Sequence, residues 1–383
     1  MIDIVDKVEC SACGACEQSC PKGCITFVED GEGFLYPSVE RDLCIECGLC
    51  ERVCPIINRE SAKGALKHYA AVNLSDDIRS RSSSGGIFTL LAQSVIAQGG
   101  VVFGARFDER WEVVHDFTES EEGLEPFMVA KYMQSRIGDS FKRVKQFLKS
   151  GRKVLFVGTP CQAAGLRRYL GGEHEGLLIV DFVCHGTPSP KVWRGYLGEL
   201  LSGDLDSISH ISFRDKESGV EGYNFKIWDD SSKVIYREPY GDNLYMRAML
   251  RDLTLRPSCY RCSSKLGRST SDITIGDFWG VEALPLGFDD GGGVSLVMLN
   301  TDKGVANFPL ERTKYWECSY AQSRRLNGGF KERVRQHPRR THLFEALDSV
   351  PSVMKLMEQT LRESRLERMQ RKMKYIMNYI LKR

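Results

Sequence analysis

The sequence lacks an excess of charge of either sign: 53 Lys and Arg face 51 Asp and Glu, for a net charge of +2. No chain-wide field marks it for a polyanion, so nucleic acid is not an expected partner. It also lacks any apolar run near the roughly 18–20 residues that a membrane-spanning helix needs. The opening stretch Met1-Ile2-Asp3-Ile4-Val5-Asp6-Lys7 has neither the basic start nor the apolar core of a secretory signal. Cysteine, by contrast, is plentiful, with 14 in 383 residues. Such a count suggests disulfides in a small secreted protein. Here eight of them fall into two tight runs, the pattern of metal thiolates in a reducing compartment. The expected location is therefore cytoplasmic. The length allows two or three domains, and 42% apolar with 27% charged residues is the balance of a globular chain.

The two runs are an internal repeat. Cys10, Cys13, Cys16 and Cys20 recur as Cys44, Cys47, Cys50 and Cys54, each 34 positions later, with Pro21 and Pro55 after the fourth members. A Cys-x2-Cys-x2-Cys loop presents three thiolates to a [4Fe–4S] cube. In two-cluster ferredoxins the fourth cysteine of each run ligates the other cluster. Cys10, Cys13 and Cys16 should thus pair with Cys54, and Cys44, Cys47 and Cys50 with Cys20. Gly14 and Gly48 let backbone approach the inorganic sulfides. Zinc is the competing reading, but it usually takes paired Cys-x2-Cys knuckles rather than two such complete sets. Cys24 lies outside the spacing and reads as a small buried residue. Between the runs, 25–28 and 34–37 flank Glu29-Asp30-Gly31-Glu32-Gly33 as a hairpin.

From Ala70 onward strand and helix patterns alternate. Strands are expected at 69–72, 101–104, 153–157, 177–183, 272–278 and 294–300, and helices at 87–98 and through Tyr169. Alternation at 208–237 suggests antiparallel strands. The expected architecture is an α+β ferredoxin-like N-terminal domain (1–57) joined, through a linker at 56–67, to an α/β domain with a mixed sheet (68–335), and then a helical tail (350–383). The tail carries Val353, Met357, Leu361, Met369, Met373, Ile376 and Ile380 at helical spacing, with nine basic and three acidic residues over 352–383. It suits either a helix packed on the protein's own core or a partner, or one docked on an anionic membrane surface.

Three further groupings carry chemistry. Ser83-Ser84-Gly85-Gly86 enters an apolar helix at Ile87. Free N–H groups and hydroxyls there suit a phosphate, although an ordinary N-cap uses the same residues. Cys161 and Cys184 each follow a buried strand, where open parallel sheets bind ligands. Cys259 and Cys262 form a Cys-x2-Cys pair. The four thiols suffice for a third cluster; zinc, or plain burial of Cys161 and Cys184, are the alternatives. Finally, Asp277 and Trp279 sit in a turn that could border a planar cofactor, with Trp279 equally suited to the core. His185 could relay protons or be structural.

Taken together, the doubled cysteine motif, Ser83-Ser84-Gly85-Gly86, Lys131-Tyr132-Met133-Gln134-Ser135, Gly158-Thr159-Pro160-Cys161-Gln162, Cys184-His185-Gly186 and Gly276-Asp277-Phe278-Trp279 resemble the coenzyme F420 hydrogenase/dehydrogenase beta subunit family over residues 1 to about 330. The resemblance implies FAD in the larger domain, beside an iron–sulfur centre. The flavin would exchange hydride with a small-molecule acceptor, F420 or another. Ser83, Ser84, Gly85, Gly86, Lys131, Gln134 and Ser135 would contact it, and Cys161, Cys184, Cys259 and Cys262 would be candidates for the additional cluster; His185 and Asp277 are the catalytic candidates on their own positions. Electrons would come from a ferredoxin or a partner redox subunit. An autonomous reductase, an electron-transfer subunit of a larger redox complex (or one tied to polysaccharide synthesis), and a non-enzymatic redox sensor are the three functional classes to separate.

Overall fold

A computed structural model describes residues 1–61, 64–217, 219, 222–265, 269–324, 327, 334–363, 369 and 373. The N-terminal repeat is a repeat of backbone as well as of cysteines. The 3-10 turns Lys7–Glu9 and Arg41–Leu43 correspond, as do the short helices Ala15–Ser19 and Leu49–Arg52. Ala12 and Glu46 have φ of 51° and 52°, and Gly14 and Gly48 φ of 79° and 69°. Two left-handed residues in each loop curl the chain around the space its sulfurs face. Between the loops, β1 (Ile25–Glu29) and β2 (Leu35–Val39) form the expected antiparallel hairpin, with Ile25 opposite Val39. Its tip docks on the rest of the chain: a Cβ on Gly33 would collide with Lys191, and the Ser189 hydroxyl donates to the Glu32 carbonyl.

The remaining chain builds one large mixed sheet from β3 (Lys67–Asn73), β4 (Val101–Phe107), β5 (Val113–Thr118), β6 (Val154–Gly158) and β7 (Leu177–Phe182), with later strands added. A separate antiparallel sheet follows, made of β8 (Ile208–Asp215), β9 (Asn224–Asp229) and β10 (Val234–Pro239). The large sheet is completed by β11 (Ile273–Asp277), β12 (Ser295–Leu299) and β13 (Thr313–Glu317), in the order β13-β3-β12-β11-β7-β6-β4-β5. Its centre, β11-β7-β6-β4, is parallel, and the flanking pairs are antiparallel. The near-continuous burial of Val154–Gly158 and of Leu177–Asp181 reflects strands covered on both faces. On one face lie Leu90 and Leu91 of the helix Ile87–Ile96; on the other, Phe141 with Ala163 and Leu166 of the helix Pro160–Leu170. The small sheet packs on the helices Pro190–Leu200 and Leu244–Leu250 around the fully buried Trp193 and Tyr245.

The start of the tail follows the reading of a helix packed on the protein's own core. Its first helix, Val353–Leu361, buries Leu356, Met357 and Leu361 in the same core as Trp193, and the chain turns extended at Arg362. The apolar stripe there is core, not a free face. Met369 and Met373 are exposed; Ile376 and Ile380 lie outside the described residues. No helix among the described residues is long and apolar enough to cross a membrane.

Candidate metal centres and the cleft between them

The first cysteine loop is sealed. Cys10, Cys13 and Cys16 are buried, and each lies close enough to Cys54 to feel its charge. Cys54 is the fourth ligand expected here from the spacing; Cys16 also lies near Cys50 of the second run. Burial pushes these thiols up, Cys16 to about 12. Bare thiolates would be costly there, and metal binding is what makes the thiolate form favourable. The Ala12 N–H points at Cys10 Sγ (3.4 Å), and the Ile2 N–H at Cys50 Sγ (3.2 Å). Cys20, Cys44, Cys47 and Cys50 line a second cavity, and Cys47 is exposed. Cys24 is buried as expected, yet its sulfur also lines this cavity, 3.3 Å from Cys20 Sγ. The spacing rule could not show that proximity.

The four later cysteines converge. The paired parallel strands β6 and β7 deliver Cys161 and Cys184 at their carboxyl ends. Cys161 opens the helix Pro160–Leu170, whose start is fixed by Thr159: its hydroxyl caps Gln162, whose side chain reaches back to the Thr159 N–H. Cys259 sits in the 3-10 turn Pro257–Arg261, and Cys262 follows. All four line one cavity of about 180 Å³. Burial raises Cys161 to about 12, with the charges of Cys262 and Cys259 adding to it. Thr159 Oγ1 and the Thr187 N–H lie 3.0 Å and 3.4 Å from the sulfurs of Cys161 and Cys259. Val8 and Glu9 of the turn Lys7–Glu9 and Ser11 of the first cysteine loop line the cavity too. The two loops also share a helix: a Cβ on Gly165 would sit 2.8 Å from Cys13 Cβ and 2.9 Å from its sulfur. Among the described residues no group of three His, Cys, Asp or Glu is gathered tightly enough for a single ion. Zinc draws its sulfur ligands to about 2.3 Å from one centre, whereas a cube spreads them over its corners.

The other expected site residues divide into two places. Gln134 and Ser135 line the quartet cavity, as does His185. His185 Nε2 lies 2.6 Å from Asp252 Oδ1, which fixes the ring. Ser83 lies instead at the far end of the 131–135 segment, where its hydroxyl accepts from the Ala130 N–H (2.8 Å). Gly85 is explained by packing: a Cβ there would meet the Ala71 carbonyl oxygen at 2.7 Å, and its N–H already donates to Ser295 Oγ (2.9 Å). Ser84 donates to the Val294 carbonyl. Lys131 is half-buried, donates to the Val129 carbonyl (2.8 Å) and pairs with no carboxylate among the described residues; burial pulls it down to about 7. Asp277 is held by Arg214 (2.8 Å), which stacks on Tyr223. Trp279 is 50% exposed, so it is not core.

Sequence reasoning missed several residues at the quartet. Lys265 donates to the carbonyls of Cys184 and His185. Asp181, at the end of β7, is fully buried, accepts from Ser269 and Thr274, and is pushed up to about 6 by burial. Arg256 is buried between the two cysteine groups. None has a spacing signature, because each is assembled from distant segments.

Residues 151–319 match the family described as the C-terminal region of the coenzyme F420 hydrogenase/dehydrogenase beta subunit. Residues 9–56 match the 4Fe-4S dicluster domain. The quartet lies inside the first match; Ser83–Gly86 and Lys131–Ser135 lie outside it. Among solved structures, a chain of the F420-reducing [NiFe] hydrogenase complex from Methanosarcina barkeri, from a xenon-derivatization study, is 16% identical, with 78% of this chain and 90% of that chain covered at a TM-score of 0.46. The search of curated proteins found no match.

Proposed function

We infer that this chain, which joins a 4Fe-4S dicluster domain to the C-terminal domain of the coenzyme F420 hydrogenase/dehydrogenase beta subunit family, is an oxidoreductase component that carries electrons through three [4Fe–4S] centres toward a flavin. The carrying observation is the quartet: four thiols from three separate segments meet in one cavity, which Ser11 of the first cysteine loop also lines. Electrons enter at the second cluster, where Cys47 and Ile45 are exposed to a donor, a ferredoxin or partner redox subunit. They pass to the buried first cluster, and from Cys13 and Cys10 to the quartet.

FAD fits the segment that follows. Lys131 has no carboxylate partner among the described residues, so that a phosphate would supply the counter-charge that favours its protonated form, and Ser83 bonds the neighbouring Ala130 N–H. Three and four residues on, Gln134 and Ser135 reach the quartet. When bound, a flavin supplies the exchange between one-electron clusters and two-electron hydride chemistry with a small-molecule acceptor. Around it, Arg214 holds the Asp277 carboxylate in place, and Asp252 fixes the ring of His185, which can hold a proton at Nδ1.

The test is anaerobic reduction of wild type and Cys161→Ser by dithionite, with cluster and flavin followed separately. The variant should lose about four irons, reduce its N-terminal clusters normally, and reduce flavin far more slowly. Unchanged flavin reduction overturns the relay. Protein purified without flavin, and unable to bind added FAD, overturns the flavin reading alone.

A further inference from the structure

Arg256 is 1% exposed. Burying a guanidinium is costly without a counter-charge, yet no carboxylate pairs with Arg256 among the described residues. Its hydrogen bonds go to neutral oxygens: Nε to the Cys10 carbonyl (2.8 Å), Nη1 to Gln134 Oε1 (2.9 Å) and Nη2 to the Leu35 carbonyl (2.9 Å). Its face lies 4.3 Å from the centre of the Tyr36 ring. The acceptors belong to three different parts of the chain, including the first cysteine loop and the wall of the quartet cavity. What it bridges are the ligand segments of both centres: its Nε holds the Cys10 carbonyl, and it lines the cavity that Cys161 and Cys259 also line.

We propose that Arg256 is the shared counter-charge of the first N-terminal cluster and the quartet centre, a positioning residue that docks one against the other and raises the reduction potential of both. The second half of this rests on the quartet holding a cluster; the first half does not. A nearby fixed cation favours the more negative, reduced form of a one-electron centre. The second N-terminal cluster, in a cavity that Arg256 does not line, lies outside its influence. The shared charge levels two neighbouring steps of the relay, so that neither becomes an electron trap.

The experiment is an EPR-monitored redox titration of the full chain with iron counted on every sample. Three variants are compared with wild type. Arg256→Met removes the charge at similar length. Gln134→Glu keeps the arginine but neutralises it with a carboxylate at the Nη1 contact. Arg256→Lys keeps the charge and loses the fork. In the first two, two of three midpoints should fall, each by at least tenfold in the reduction equilibrium, about 59 mV for one electron; in the third, most of that should return. One midpoint falling with about eight irons present defeats the quartet cluster and leaves the assignment to the first cluster standing. No shift, or an equal shift of every centre, overturns the proposal. If Arg256→Met does not fold, Gln134→Glu decides by the same criterion.

Discussion

The contact between Gly165 and Cys13 lends itself to a quantitative test. Gly165 lies inside the helix Pro160–Leu170, where Gly→Ala ordinarily stabilises by about 0.8–1 kcal/mol. Here the added methyl would lie 2.8 Å and 2.9 Å from Cys13 Cβ and Sγ, well inside contact distance. Cys13 is buried against this helix and is a proposed cluster ligand, so it cannot swing aside freely. Overpacking of a tight contact costs roughly 1–3 kcal/mol. The clash should therefore win over the propensity, leaving Gly165→Ala less stable by up to about 2 kcal/mol. Because the strain falls on a ligand, iron should be lost from the first N-terminal cluster before the second. Urea unfolding and iron quantitation on the anaerobic protein measure both effects. A variant more stable than wild type with full iron would show that the first cysteine loop does not press on this helix.

Three further outcomes follow from particular groups. His115 is buried against Phe156 and held in its neutral form, with burial taking it down to about 4. The unfolded chain takes up that proton near pH 6.5 and the folded one does not, so stability is intact above about 6.5 and is lost as pH falls toward 4, by at most about 3 kcal/mol. His115→Gln should flatten that part of the pH–melting curve, and an unchanged slope would count against it. Arg340, buried between the C-terminal helices and the hairpin, is paired with Glu32 (2.9 Å). Glu32→Ala should cost roughly 3 kcal/mol by stranding it, read as a drop in the urea midpoint; a cost below the noise would mean that Arg340 finds another partner. Lys131→Met should empty the protein of flavin while leaving iron unchanged, and normal flavin content would remove Lys131 from the phosphate site.

The ferredoxin-type half was legible because ligand geometry leaves so little freedom that the repeat persists even in the φ angles of Ala12 and Glu46. The quartet was legible for a different reason: β6 and β7 are adjacent parallel strands, and residues just past their ends must face one edge. Both clues are local. Arg256 had none, since its three acceptors come from residues 10, 35 and 134 and only the tertiary fold assembles them. The same limit explains Asp277, whose partner Arg214 arrives from the small sheet, and Gly85, whose missing side chain makes room for β3 and β12. In the tail, helical spacing located the apolar face of Val353–Leu361 but left its occupant open between the protein's own core, a partner and a membrane surface; for this helix the core takes it.

A relay through three four-iron centres fixes the metal content of the chain. Iron and acid-labile sulfide should be quantified on the anaerobically reconstituted full chain, alongside zinc. The relay requires about twelve irons and twelve sulfides per chain, four for each centre, and no zinc. About eight irons, with or without one zinc, would leave the quartet outside the electron path and contradict the account.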